Sequence, residues 1–409
     1  MSTHPQPVLY VHHRPELGGA PQSLHYLIEC LDRDRFEPHV YCPPGPAAES
    51  FASAGAQIHH GEVAAFTHIW ASTYGGRRWL LLGRELAKAP SHVASFSALL
   101  RRHDFQIVHL NDSPLIAAAY MARRAGIPVV WHLRSALAQT GRIRRSLIRR
   151  AIRSYASATI AINADVARSF NVDATVISNA VDLDRFRPQP PDAARRELGL
   201  PSDSVIVSYF GFIYPSKGFR DFIEATRLVR EFGTEATYLI VGGPVRNTEF
   251  FKTPLGRSLS LAGLVSDHQR EAEELVAQLR LEDCVRFVPF TRDTARMFQA
   301  TDIVVAPSRG PELGRPVLEA FACGRAVIAS GSITGGGIVT PDETGILVPR
   351  HSPDALAVAL ERLIRSPGER SRIGENARRY AESNLSAEST AREVMEVYDR
   401  LLRTDGDHS

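Results

Sequence analysis

The feature that most constrains this chain is a grammar used twice. Short apolar runs alternate with segments of helical periodicity, and the alternation restarts after the proline-rich stretch FRPQPP at 186–191. Before that break, residues 7–11 (PVLYV), 105–110 (FQIVHL) and 127–133 (IPVVWHL) read as strands. After it, residues 204–211, 237–243, 284–290, 302–308 and 326–330 read the same way. Strand–helix–strand repetition implies a parallel sheet, because a parallel return needs a crossover long enough to hold a helix. The chain is therefore expected to be α/β, with two Rossmann-like, doubly wound halves, 1–187 and 188–384. A helix is expected over 21–31. Another should start at Pro114, capped by Asp112, and run to about Ala125. Residues 244–269 read as a long loop or insertion.

Composition narrows the class. A chain of 409 residues exceeds one ordinary core. Its hydrophobic fraction of 44% and charged fraction of 23% are those of a soluble globular enzyme. The apolar runs are too short to span a bilayer, and the N-terminus lacks the pattern of a signal peptide. The four scattered cysteines form no CxxC pair, which points to a reduced, cytoplasmic protein without structural zinc. Residues 1–187 carry 21 basic and 14 acidic side chains, a net of +7; the remainder carries 27 and 31, a net of −4. The basic half suits an anionic partner, either a phosphorylated acceptor or a membrane surface. Nucleic acid is not indicated, since the basic residues lack interleaved aromatics and no binding motif occurs.

In open α/β sheets, ligands sit beyond the carboxyl ends of the strands. Beyond 204–211 comes a Gly-flanked loop holding Lys217, one of only three lysines (with Lys88 and Lys252) among 48 basic residues. A lysine there is placed to neutralise a phosphate; the alternative is a solvated loop lysine. Beyond 302–308 comes PELGRPVLEAFACG (311–324), with Glu312 and Glu319 either side of Gly314-Arg315-Pro316. Pro316 suits the first position of a helix, whose N-terminus attracts anions. Glu319 would then lie in the first turn, there to bind sugar hydroxyls or merely to answer the helix dipole. His132 ends a strand in the first half, and Gly18 and Gly19 allow close backbone approach to a ligand.

Together these segments resemble the retaining nucleotide-sugar glycosyltransferases of family 4. The resemblance is carried by GGAPQS, VVWHLRS, VISNAVDLDRF, YFGFIYPSKGF, VRFVPF, PELGRPVLEAFACGRAVIAS and ETGILVP, which span nearly the whole chain. It implies the GT-B architecture, two Rossmann-like domains facing across a cleft. Donor would bind mainly to the second domain and acceptor to the first, and the last helix (about 385–409) would cross back to the first. Carried over, Lys217 holds the donor diphosphate, Glu319 the ribose and Glu312 the donor sugar. His132 sits near the transferred sugar, so His132, Glu312 and Lys217 form the catalytic set. Gly19, Phe290, Leu313, Gly314 and Arg315 complete the donor contacts. The resemblance implies no cofactor and no metal, the leaving diphosphate itself helping to accept the acceptor's proton. Phe212 stands where the family usually has arginine, so Arg315 or Arg292 would supply that charge. Ala180 replaces a glycine after Asn179. The glutamates are one residue closer than usual, which leaves Pro311 or Glu312 in the first glutamate's place.

The acceptor would be a glycan, a lipid-linked carbohydrate or a small molecule, in surface-glycan or glycoconjugate assembly. A sugar-nucleotide epimerase and a non-catalytic sugar-nucleotide-binding subunit are the rival readings. Arg142, Arg145, Arg149 and Arg153 share one helical face beside Ile143, Leu147, Ile148 and Ile152. That face suits peripheral binding to an anionic membrane, with Trp70, Tyr74 and Trp79 nearby, or is simply a solvated basic surface.

Overall fold

A computed structural model describes residues 4–65, 80–137, 142–243, 248–289, 291, 293–310, 314–331 and 337–406. Phe290, Arg292, Pro311, Glu312, Leu313, Trp70, Tyr74 and Trp79 lie outside the described residues. The chain divides into two compact units: 1–180 with 385–409, and 181–384. The second begins at Val181, not at 188. Phe186 packs edge-on against Phe298, and its carbonyl accepts a hydrogen bond from Arg378, so the segment before the prolines already belongs to unit 2.

Among the described residues unit 1 has seven parallel strands: β1 (Gln6–Val11), β2 (Phe36–Cys42), β3 (Gln57–His60), β4 (Ile107–Asn111), β5 (Val129–Leu133), β6 (Ala158–Ala161) and β7 (Thr175–Val176). Their spatial order is β3-β2-β1-β4-β5-β6-β7. Unit 2 has six among the described residues: β8 (Ile206–Phe210), β9 (Thr237–Val241), β10 (Val285–Val288), β11 (Ile303–Ala306), β12 (Ala326–Ser330) and β13 (Ile346–Val348), in the order β10-β9-β8-β11-β12-β13. Each sheet grows outward on one side of its first strand and then restarts on the other. The strand order thus reverses between β1 and β4, and again between β8 and β11. In open α/β sheets such a reversal point, beyond the carboxyl ends of the strands, is where ligands bind.

Both faces of the unit 1 sheet are covered. Alternation sends Leu9, Val11, Val108, Leu110 and Trp131 to one face and Val8, Tyr10, Ile107 and Val130 to the other. The second face is closed partly by Val394, Val397 and Tyr398 of the last helix, Ala387–Gly406. In unit 2, Phe219, Phe222, Tyr209, Tyr238 and Leu360 centre the core.

Several local expectations are corrected. Residues 244–269, read as a long loop or insertion, hold helices Thr248–Lys252 and Pro254–Leu261 and the start of His268–Gln278 among the described residues. Thr253 caps the second by accepting from the Gly256 N–H at 3.0 Å, and Asp267 caps the third. The first helix of unit 1 spans Gly19–Glu29. The helix expected from Pro114 runs Ile116–Arg124, and Asp112 does not cap it.

Candidate functional site

Unit 2 brings the ends of β8 and β11 together through backbone contacts. After β8 the chain turns at Gly211, and the loop lies against the end of β9: Ile213 N–H donates to the Gly243 carbonyl at 3.2 Å. A short 3₁₀ turn, Pro215–Lys217, follows and ends at Gly218 in the left-handed region (φ 76°). A Cβ on Gly218 would lie 1.8 Å from the Pro307 carbonyl oxygen, so only glycine lets the turn meet the loop after β11. The same loop is clamped twice more. Arg309 N–H donates to the Ser216 carbonyl at 2.9 Å. The Arg309 guanidinium makes a two-pronged pair with Asp221, at 3.0 and 2.6 Å, in the first turn of helix Phe219–Glu231.

These clamps aim Lys217 at the start of helix Arg315–Ala322. A Cβ built on Gly314, the residue before that helix, would be 3.9 Å from Lys217 Nζ. The first N–H groups of a helix have no intrahelical acceptor and carry the positive end of its dipole. An ammonium held beside them by backbone geometry makes a place for an anion. Ser216 Oγ, buried and without a hydrogen-bond partner among the described residues, adds a further donor beside Lys217.

The glutamate expected in the first turn is displaced. The helix begins at Arg315, with Pro316 second, because Gly314 (φ 77°) makes the turn into it. Glu319 is therefore the fifth helical residue, beyond reach of the dipole end, and it pairs with Arg315 one turn earlier at 3.2 Å. Both side chains are largely buried, at 11% and 14% exposure. Phe212 is half exposed, and its carbonyl accepts from the Tyr209 hydroxyl at 2.8 Å.

Unit 1 gathers a polar cluster at the carboxyl ends of β1, β4 and β5. His12, Asn111, Asp112, His132 and Arg134 are all buried. Asn111 is the hub. Its amide donates to His12 Nδ1 at 3.1 Å and to the Ala20 carbonyl at 3.3 Å, while its oxygen accepts from Arg134 Nε. Arg134 also donates to Asn179 Oδ1 at 2.6 Å. Gly19 opens helix Gly19–Glu29, so the Ala20 contact ties the glycine loop to β4.

Asp112 holds a strained backbone, φ 133°, rare for a residue with a side chain. It is pinned on three sides. Its carboxylate accepts from Ser113 N–H at 2.7 Å and from Ser135 Oγ at 3.2 Å, and its carbonyl accepts from the Trp131 indole at 3.0 Å. Burial raises its carboxyl pKa, and the bonds from Ser113 and Ser135 oppose that rise. Recruitment into this network is why Asp112 is no helix cap.

His132 Nδ1 lies 3.2 Å from His109 Nε2, and His132 Nε2 is buried with no partner among the described residues. Burial and the charge of Arg134 hold both rings well below the ordinary histidine range, so both are neutral near pH 7. His12, lowered to about 3 by burial and by Arg134 and Arg14, is neutral too. Among the described residues no group of three or more His, Cys, Asp or Glu side chains is arranged to hold a metal ion.

Helix Arg142–Tyr155 buries Ile148, Ala151 and Ile152 in unit 1, while Ile143 and Leu147 are 79% and 59% exposed. Ile148 and Ile152 are thus core residues, unavailable to a membrane. Arg142, Arg145, Arg149, Arg150 and Arg153 line an open depression of about 580 Å³. Arg149 and Arg153 are partly structural, donating to the carbonyls of Ser169 and Asn171. Among the described residues no helix is long and apolar enough to cross a membrane.

His12, His109, Asn111, Ser216, Arg309 and Tyr398 were not singled out from sequence. For His12 and Asn111 a signal existed, since both are polar residues ending apolar strands. For Arg309 and Tyr398 there was none.

Comparison with known proteins agrees with this architecture. The model of "Glycosyltransferase Family 4" matches residues 17–185 and that of "Glycosyl transferases group 1" matches 191–380. A D-inositol 3-phosphate glycosyltransferase of Salinispora arenicola is 32% identical over 263 residues, 60% of this chain and 54% of that one. The chain spans about half the length of the curated relatives it matches. Among solved structures, Anabaena HepE in complex with UDP and glucose superposes with a TM-score of 0.75 at 20% identity, covering 96% of this chain and 99% of that one. Sucrose-phosphate synthase from Thermosynechococcus elongatus gives 0.74 at 21% identity, covering 98% and 100%. With these two glycosyltransferase models together spanning most of the sequence, one over each Rossmann-like sheet, the chain belongs to the nucleotide-sugar glycosyltransferases of the GT-B fold.

Proposed function

We propose that the protein is a retaining glycosyltransferase that moves a hexosyl unit from a nucleotide-diphosphate sugar to a hydroxyl acceptor. The observation that carries this reading is Lys217 Nζ beside Gly314, at the start of helix Arg315–Ala322. Lys217, the helix N–H groups and the Ser216 hydroxyl receive the diphosphate. Glu319, steadied by Arg315, accepts from the ribose hydroxyls, and Gly314 and Arg315 line the same end of the donor. Phe290, Glu312 and Leu313 carry roles by family resemblance: Phe290 at the base, Glu312 at the donor sugar. By the same resemblance Gly19 has its role by the diphosphate and His132 by the transferred sugar.

In the reaction the bond from the anomeric carbon to the diphosphate oxygen breaks and a bond to the acceptor oxygen forms on the same face. The acceptor's proton passes to the diphosphate. The catalytic demand is to stabilise negative charge growing on the leaving group, which preorganised donors do best. Relatives named for D-inositol 3-phosphate and a neighbour crystallised with UDP-glucose make a uridine donor and a cyclitol or glycan acceptor the first to test. A lipid-linked acceptor is the alternative, supported by the arginine-lined depression and by exposed Ile143 and Leu147, which suit an anionic membrane surface.

The test is a panel of nucleotide sugars offered with pooled acceptors, products being read by mass spectrometry. A glycosylated product with free nucleoside diphosphate supports the reading. Donor binding without turnover supports a non-catalytic subunit, and an epimerised donor without acceptor supports an epimerase. Co-sedimentation with vesicles of rising anionic content tests the membrane arm.

A further inference from the structure

The crossover that follows β9 has contacts at both of its ends with the turn that carries Lys217. At the leaving end the Gly243 carbonyl accepts from the Ile213 N–H at 3.2 Å. At the returning end Asp267 accepts from the Arg270 N–H at 3.2 Å and so starts helix His268–Gln278, with His268 as its first residue. The His268 ring stands edge-on to Tyr214, centroids 5.2 Å apart and planes at 85°, and its centroid is 6.4 Å from that of Phe219. Tyr214 precedes the turn Pro215–Lys217, and its carbonyl accepts from the Lys217 N–H at 2.9 Å. Phe219 follows Gly218 and is fully buried in the unit 2 core. One imidazole therefore stands against both shoulders of the lysine turn.

His268 is itself held in place. Its Nδ1 lies 2.9 Å from Glu271 Oε2, one turn further along the helix. A carboxylate offers only acceptors, so Nδ1 carries the hydrogen. Glu271 also pairs with Arg220, in the first turn of helix Phe219–Glu231. The His268 side chain is only 17% exposed. On the other side of β8, the loop after β11 clamps the same turn through Pro307 against Gly218 and through Arg309 on Ser216. A 3₁₀ turn has weak hydrogen-bond geometry of its own, so its shape depends on what packs around it. A cation fixed in advance binds an anion better than a mobile one, because the cost of ordering it is already met.

We propose that His268 is a positioning residue: held by Glu271, it braces Tyr214 and Phe219 and so fixes the turn that aims the Lys217 ammonium. That the ammonium meets a diphosphate rests on the function proposed above; the brace does not. The turn is then gripped from both neighbouring strands, by the loop after β11 on one side and by the helix after β9 on the other.

Lysine is scarce in this chain, with only Lys88, Lys217 and Lys252. Reductive methylation of the full chain with carbon-13 formaldehyde therefore gives a simple NMR spectrum, in which Lys217→Arg assigns the Lys217 signal. In the absence of ligand, His268→Ala should shift or broaden that signal and leave Lys88, in unit 1, unchanged. Affinity for UDP, or for whichever nucleoside diphosphate the donor panel identifies, should fall roughly fivefold in His268→Ala, within the coupling measured between residues in contact. It should fall no further when His268→Ala is added to Lys217→Ala. An unmoved Lys217 signal in a folded His268→Ala chain overturns the proposal, as does a loss of the same size in the Lys217→Ala background. Glu271→Gln, which weakens the bond orienting the ring, is read in the same way and replaces His268→Ala if that variant does not fold. If Lys217→Ala alone leaves UDP affinity intact, the lysine's place on the diphosphate fails while the methyl signal still decides the brace, so the two failures are distinguishable.

Discussion

The Pro307 carbonyl oxygen occupies the space a side chain on Gly218 would need, 1.8 Å from the position of a Cβ there. Two loops leaving adjacent strands at the point of order reversal thus touch backbone to backbone, and Lys217 is positioned as a consequence. Gly218→Ala adds this clash to the cost of a left-handed alanine, so a destabilisation of more than about 2 kcal/mol is expected. Urea denaturation of the variant checks it. Unchanged stability would show that the turn has slack and that Lys217 is not held by it.

Lys217→Ala should weaken nucleotide-diphosphate binding by roughly 10- to 150-fold, the equivalent of about 1.5–3 kcal/mol for a charge-assisted hydrogen bond. Titration calorimetry with nucleoside mono- and diphosphates separates the effect. Loss confined to the diphosphate places the ammonium on the second phosphate, and equal loss for both would move it elsewhere.

The two glutamates should fail differently. Glu319→Gln removes the carboxylate paired with Arg315, so affinity for both free nucleotide and sugar donor should fall. Glu312→Gln should lower turnover and leave affinity for bare nucleotide intact. Measured dissociation constants for nucleotide and donor, beside kcat, decide the matter; a fall in nucleotide affinity with Glu312→Gln would refute its assignment to the sugar.

Arg309 and Asp221 join the β11 loop to the helix after β8. Asp221 is 8% exposed, and its loss leaves a guanidinium half stranded. Asp221→Asn should cost about 1–3 kcal/mol and raise KM for donor more than it lowers kcat, since the defect is in loop placement. Steady-state kinetics with thermal melts test this pairing.

Stability should fall in mild acid. His12, His109 and His132 have folded pKa values below their unfolded value. The unfolded chain then binds more protons between about pH 3 and 6.5. Their contribution is complete above about pH 6.5 and is lost as pH falls toward the folded pKa, which is about 3 for His12. Each such group gives a slope of up to about 1.4 kcal/mol per pH unit. Denaturation midpoints from pH 7.5 to 4.5 should therefore drop, and His12→Asn should make the drop shallower.

The sequence by itself determined the two parallel sheets and their division near, though not at, the prolines of 186–191, and it singled out the loop lysine and the histidine ending β5 as residues just past a strand. Those are local matters: apolar runs, proline and glycine punctuation, and residue type just past a strand. Some local readings failed where a tertiary demand outweighed them. Asp112 caps nothing because Trp131, Ser113 and Ser135 claim it, and Glu319 answers Arg315 instead of the dipole because Gly314 starts the helix one residue early. What only the tertiary structure decided is which distant groups meet. Alternation tells that Tyr10, His109 and His132 face one way, but strand order makes them neighbours, and the packing of the last helix sets Tyr398 against His109 across 289 positions. Contacts of that separation leave no periodic trace in sequence, since each is one pair among many that the same apolar pattern would permit, chosen by close packing of the whole sheet face.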